Sequence, residues 1–141
     1  MVREMFEEYQ TELGIDLCFQ GFQDELEGLP GKYGPPRGAL MLVLDGEAVA
    51  ACGALRDLGD DIAELKRLYV RPGYRGSGLG RRVTQVLMDR ARELEYRLLR
   101  LDTLRTLTAA LSLYRSLGFE ETEPYNDGAA GLDIVYLERR L

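Results

Sequence analysis

The stretch Arg75-Gly76-Ser77-Gly78-Leu79-Gly80-Arg81-Arg82 sets a glycine at every second position between flanking arginines. Such residues hold anions. Without a Cβ, glycine lets backbone N–H groups turn inward and lets a ligand approach closely. Just downstream, Val83, Val86, Leu87, Ala91 and Leu94 fall at i, i+3, i+4, i+8 and i+11, the stripe of an amphipathic helix. A helix that starts at these glycines has unpaired N–H groups and the positive end of its dipole there, which suits a pyrophosphate. Two other phosphate loops are excluded by spacing. A Walker loop ends in Gly-Lys-Ser/Thr, whereas Gly80 is followed by Arg81-Arg82-Val83. A dinucleotide fingerprint needs Gly-x-Gly-x-x-Gly, and Gly76, Gly78 and Gly80 are spaced two and two.

Charge supports a small polyanion. From Leu65 to Met88 there is no Asp or Glu, yet Lys66, Arg67, Arg71, Arg75, Arg81 and Arg82 lie there. Against a total of −6, the rest of the chain therefore carries −12. A basic island on an acidic protein disfavours a general nucleic-acid binder. Histidine is absent, which removes His triads, His metal sites and His proton shuttles. Acid–base work then falls to carboxylates, tyrosine, lysine, backbone or water. Cys18 and Cys52 offer no metal spacing and read as buried, inert thiols. No apolar run approaches the roughly 18 residues of a bilayer span, and the acidic, mixed start of the chain lacks the apolar centre of a signal peptide. The expectation is a cytoplasmic protein with no metal, nucleic-acid or membrane partner.

The elements that must position this loop can be read along the chain. Residues 3–13 place Met5, Phe6, Tyr9 and Leu13 near helical spacing, with Gly14 as a stop, and a short helix covers Phe22 to Leu29. Strands are predicted at Ala39–Leu44 and Ala48–Leu55, joined at Asp45-Gly46, and at Ile62–Val70 after a turn at Gly59-Asp60-Asp61. Pro72 ends the third strand. After the glycine helix come a strand over Arg97–Thr103, a helix over Leu107–Leu117 capped by Gly118, and closing strands at Phe119–Glu123 and Asp133–Leu141 around a mobile loop. The order is ααβββαβαββ, and a helix between the third and fourth strands implies parallel pairing of the two.

In this setting the glycine segment is specific. Leu68-Tyr69-Val70-Arg71-Pro72-Gly73-Tyr74-Arg75-Gly76-Ser77-Gly78-Leu79-Gly80 resembles the coenzyme A signature of the GNAT acetyltransferase superfamily, whose Arg/Gln-x-x-Gly-x-Gly/Ala pattern falls on Arg75, Gly78 and Gly80. Leu113-Tyr114-Arg115-Ser116-Leu117-Gly118-Phe119 is similar to the Leu-Tyr-x-x-x-Gly-Phe segment of that family's last helix. The resemblance runs from Ala39 to the C-terminus. It implies one α+β (mixed α/β) domain over residues 1–141. The implied fold is three-layered: a mixed, centrally splayed sheet of about six strands flanked by about four helices. It also implies acetyl-CoA as acyl donor, held by Leu68, Tyr69, Val70, Arg75, Gly76, Ser77, Gly78, Leu79, Gly80 and Arg81. The family usually opens with a strand before its first helix, whereas this chain starts in the helix. That leaves Ala39–Leu44 as an exposed edge or has a second copy of the chain, in a homodimer, cover it.

The implied reaction moves acetyl from a thioester to a primary amine. Amines have reference pKa values of about 8 to 10 and arrive mostly protonated near pH 7, so a base must collect a proton. The resemblance points to Glu64 on the third strand; a strand-end ion pair with Lys66 or Arg100 is its other reading. Tyr114 is the implied general acid, since a phenol near 10 stays protonated above a thiol near 8.5; its other reading is a core aromatic. A backbone N–H near Val70, where the strand splays, suits the oxyanion. Arg67 and Arg56 flank the expected acceptor cleft and can pair with an acceptor carboxylate, which points to an amino-acid-like small molecule; surface solvation is the alternative for each. Tyr33 and Tyr125 stand in loops that can wall the pocket. A non-catalytic acyl-CoA-sensing domain and a protein N-acetyltransferase remain as alternative functions.

Overall fold

A computed structural model describes residues 1–13 and 22–141. Gly14 and Cys18 lie outside the described residues. The helices are α1 (Val2–Leu13), α2 (Phe22–Glu27), α3 (Leu79–Glu93) and α4 (Thr108–Ser116). The strands are β1 (Ala39–Asp45), β2 (Ala48–Gly59), β3 (Ile62–Val70), β4 (Leu98–Leu104), β5 (Glu120–Glu121) and β6 (Ile134–Arg140). They form one six-stranded sheet in the order β1-β2-β3-β4-β6-β5. The element order is the one the sequence predicts, and β1 is an edge strand.

One apolar cluster on each face of the sheet makes the fold three-layered. On one face Val83, Leu87 and Ala91 of α3, with Leu111 and Tyr114 of α4, pack on Ala51, Leu65, Leu99 and Leu101. On the other, Met5 and Phe6 of α1 and Phe22 and Leu26 of α2 pack on Cys52, Ala54 and Tyr69. The buried stripe of α3 is Val83, Thr84, Leu87, Met88 and Ala91. Val86, placed in that stripe by spacing, is instead 49% exposed. Thr84 can take an interior position because its hydroxyl donates to the Gly80 carbonyl at 2.8 Å, which pairs the polar atom locally.

Other boundaries shift for local reasons. Strand β2 runs four residues beyond Leu55, to Gly59. Its turn into β3 uses Asp60 and Asp61, both left-handed at φ 55° and 59°, a conformation that Asp tolerates and that matches strand twist. The strand expected over Phe119–Glu123 shrinks to two residues because Phe119 turns into the core. Tyr33, expected in a loop wall, lies in the short turn Gly31–Tyr33 at 1% exposure. The loop expected to be mobile, residues 124–132, is tied down by Tyr125 to Glu64 and by Asn126 to Asp102.

Two features of β3 shape the centre of the sheet. Opposite Gly53, β3 places both Arg67 and Leu68, a bulge, with Arg67 left-handed at φ 57°. Strain of that kind costs on the order of 1–3 kcal/mol and persists here because the Arg67 side chain is clamped from α2. Beside β4, the parallel ladder has only three register pairs and stops at Glu64 opposite Arg100. Past that point the two strands part.

Candidate active site

The glycine segment forms an open cradle at the C-terminal end of β3. After Val70, the turn Pro72–Tyr74 reverses the chain and Arg75 is extended. Gly76 and Gly78 are left-handed at φ 82° and 81°, and Gly78 caps α3 without any side-chain cap. Among the described residues, no protein acceptor takes the amides of Gly76 to Arg81; the first amide of this helix to be used is Arg82, bonded to the Gly78 carbonyl. A row of free amides at a helix N-terminus is what an anion needs. A Cβ on Gly76 or Gly78 would meet nothing within 4 Å, so the space over the cradle is open. Gly80 differs. A Cβ there would lie 3.4 Å from Leu113, which shows how closely α3 and α4 approach.

The side chains around the cradle have more specific employment than the sequence suggests. Ser77 donates its hydroxyl to the Tyr74 carbonyl at 2.6 Å and so closes the turn. Arg81 donates to Ser116 of α4 at 2.7 Å. Arg75 donates to the Val70 carbonyl and pairs with Glu12 at 2.6 Å, while Arg71 pairs with Glu8 at 2.8 Å. Sequence reasoning missed these glutamates. The available signal was spacing: Glu8 and Glu12 are four residues apart on one helix, like the two arginines they meet. Tyr69 turns away from the cradle to pack beside Tyr9; burial and then Glu12 push its phenol up to about 12.

Where β3 and β4 part, the structure opens a cleft of about 790 Å³, counting its open mouth. Leu68 and Thr103 are on its strand walls, Tyr9 and Leu13 of α1 close one side, and Ala110 and Tyr114 of α4 close the other. Arg71 donates its amide to Ala50 on β2; by alternation along the strand the Val70 amide faces the parting, with no β4 partner. A backbone donor there can stabilise a developing oxyanion by about 3 kcal/mol.

Tyr114 lies at 6% exposure, and among the described residues nothing bonds its hydroxyl. Burial, then the neighbouring Tyr9 and Asp102, pushes its phenol well above the usual value. It therefore stays protonated throughout the working pH range. Charged side chains on the cleft wall, among the described residues, are Lys66, Arg67 and Asp102, the last being the one carboxylate.

Glu64, the expected base, is not on that wall. It is fully buried, accepting from Arg56 Nε at 2.6 Å and from the Tyr125 hydroxyl at 2.6 Å, with Lys66 at 3.9 Å. Both oxygens are thereby engaged. The reason is register: Glu64 sits opposite Arg56 on β2 and Arg100 on β4, at the last pairing before the strands separate. Arg56 is consequently a partner of Glu64, and Tyr125 reaches the same carboxylate from above. Arg67 does line the cleft, but its guanidinium is also held in two bonds, 2.7 and 2.9 Å, by Glu25. Tyr33 donates to that same Glu25 at 2.7 Å from inside the core, away from the cleft. The geometry thus brings Tyr114, Leu68 and the Val70 amide together with the cradle, and leaves Glu64, Arg56, Tyr33 and Tyr125 behind the wall. Among the described residues no cluster of acidic, Cys or His groups suits a metal.

Comparison with known proteins identifies the family and the fold. The sequence profile of the Acetyltransferase (GNAT) family matches residues 2–119. An uncharacterised N-acetyltransferase of Schizosaccharomyces pombe is 42% identical over 123 residues, 86% of this chain and 76% of that protein. The crystal structure of an acetyltransferase from Streptococcus agalactiae superposes with a TM-score of 0.81 at 23% identity, over 99% of this chain and 91% of that one. A GNAT acetyltransferase from Elizabethkingia anophelis, solved with acetyl-CoA bound, gives 0.65 at 21% identity over 74% and 76% of the two chains. A profile match across most of the length, on a sheet parted beside an open amide cradle, leaves one conclusion: the chain belongs to the GNAT family and is an N-acetyltransferase.

Proposed function

We propose that the chain transfers the acetyl group of acetyl-CoA to the primary amine of a small, amino-acid-like molecule. The observation that carries the donor half is the row of amides from Gly76 to Arg81, unpartnered among the described residues and facing open space, next to a cleft that a pantetheine arm can enter between β3 and β4. The acceptor half is supported by the positive charge that Lys66 and Arg67 place on the cleft wall, although Arg67 is already paired with Glu25, since a cationic wall favours an acceptor that bears a carboxylate. A cytoplasmic setting goes with that donor. Glu64 enters this reading as a positioning group, holding Arg56 and Tyr125 behind the acceptor cleft.

In the proposed mechanism the cradle fixes the diphosphate and the Val70 amide polarises the thioester carbonyl. Holding amine and thioester together supplies a large share of the rate. Tyr114 gives its proton to the departing sulfur, one of the two protons on the attacking nitrogen replaces it, and the amide keeps the other. The experiment has two parts. Millimolar acetyl-CoA is expected to raise the melting temperature, and thiol release with each standard L-amino acid is expected to identify an acceptor. No thermal shift removes the donor half; a shift without any acceptor removes the amino-acid half.

Tyr114→Phe is expected to lower kcat about 100-fold with acetyl-CoA affinity unchanged. Because no described group bonds the hydroxyl, the fold has little to lose. A variant as fast as the parent would dismiss Tyr114 as the acid.

A further inference from the structure

The one carboxylate on the described cleft wall is not the one the sequence suggests. Asp102 lies on β4 just beyond the last β3–β4 pair, where the strand has parted from its neighbour. Its side chain is 11% exposed, against none for Glu64. Lys66 Nζ stands 3.6 Å from one oxygen, and Asn126 donates to the other at 3.0 Å. Asn126 is itself fixed, accepting from the Tyr136 hydroxyl at 2.8 Å. The carboxylate is thus aimed but not enclosed.

We propose that Asp102 is the catalytic base, taking the proton of the acceptor's ammonium. The proposal rests on the reading that an amine enters this cleft. An N–H bond of the ammonium breaks and its proton passes to an Asp102 oxygen. The freed nitrogen pair forms the N–C bond to the thioester carbonyl, whose π pair moves to oxygen beside the Val70 amide. On collapse the C–S bond breaks with its pair on sulfur, which takes the second amine proton through Tyr114. Asp102 then releases its proton to solvent.

The surroundings agree. Asp102's charge reaches the phenols of Tyr9 on α1, Tyr114 on α4, Tyr125 in the loop and Tyr136 on β6, and contributes to raising each. With Lys66 on β3, these are the titratable groups that face it among the described residues. Base and acid therefore line one cleft. Glu64 differs in place: it is fully buried and off the cleft wall, with both oxygens accepting short bonds from Arg56 and Tyr125.

The test compares the wild type, Asp102→Asn and Glu64→Gln, using acetyl-CoA with two acceptors. One is the standard L-amino acid that the wild type acetylates fastest. The other is hydroxylamine, which is largely neutral at pH 7 and has no ammonium proton to lose. Asp102→Asn is expected to lower kcat/KM for the amino acid about 100-fold at pH 7. The deficit should shrink below about tenfold by pH 10, as the amine deprotonates unaided. Hydroxylamine should stay within about threefold, and the thermal shift with acetyl-CoA should persist. Glu64→Gln should lose rate equally with both acceptors, as a structural change does. Equal losses for Asp102→Asn with both acceptors, or none with either, overturn the proposal. So does the amino-acid-selective, pH-relieved loss if Glu64→Gln shows it. A wild type that acetylates neither acceptor fails earlier, and removes the function reading along with the base.

Discussion

Gly78→Val is expected to weaken acetyl-CoA binding by a hundredfold or more while the protein remains folded. Gly78 is left-handed at φ 81°, and a Cβ there meets nothing within 4 Å. The substitution therefore clashes with no part of the protein. Its cost to folding is the backbone penalty of about 1–2 kcal/mol for an L-residue in that region. The ligand suffers more. The new branched side chain fills the space over the free amides, and any relaxation of φ turns the amide row away from the phosphates. Losing two charge-assisted hydrogen bonds at about 1.5–3 kcal/mol each corresponds to roughly two to four decades in Kd. Calorimetry with acetyl-CoA measures it directly. Gly73→Ala is the control, because Gly73 has an ordinary φ, equally open surroundings and a place outside the amide row; its Kd should hold within about twofold. Equal affinities for Gly78→Val and the parent would mean that the phosphates bind elsewhere.

Glu25→Gln is expected to destabilise the fold by about 3–5 kcal/mol, the usual effect of breaking a buried pair from one side. Glu25 and Arg67 are almost wholly buried, with side-chain exposures of 3% and 2%. Glu25 also accepts from Tyr33 at 2.7 Å and pairs with Lys32 at 3.2 Å. A neutral amide presents N–H to a guanidinium and keeps at most half of this. Since Arg67 is the left-handed residue of the β3 bulge, weakening its clamp lets the bulge relax and loosens the cleft wall. A melting temperature lower by about 10 °C or more and a raised KM for the acceptor should appear together.

The same carboxylate carries a pH signature. Burial opposes its charge, but the bonds and charge of Arg67, the Tyr33 hydroxyl and Lys32 outweigh burial and hold Glu25 below the usual carboxylate range. A carboxyl lowered in the folded state stabilises fully above its unfolded value of about 4.3. That contribution is lost as pH falls through the lower folded value. The parent should therefore lose stability steeply below about pH 4.3, and the Glu25→Gln variant should show a shallower acid limb. Parallel acid limbs in urea titrations would show that Glu25 does not govern that region.

Local chemistry in the sequence determined more of this protein than is usual. Alternation and turn residues fixed the order of ten elements, and the glycine spacing set both the left-handed turns and the free helix start, because these depend on neighbours within a few residues. The strand over Ile62–Val70 and the cradle behind it are cases in point. What the sequence could not give was which side of a wall a functional group stands on. Glu64 and Asp102 are both carboxylates on central strands. One is sealed by Arg56 and Tyr125, and the other borders open space, only because the β3–β4 ladder stops between them. The same holds for Tyr33, a loop residue by composition that ends in the core, bonded to Glu25. Register, the bulge at Arg67 and the parting of two strands are properties of pairs of segments far apart in the chain. Tertiary packing alone decides them, and with them which of the chain's charges can meet a substrate.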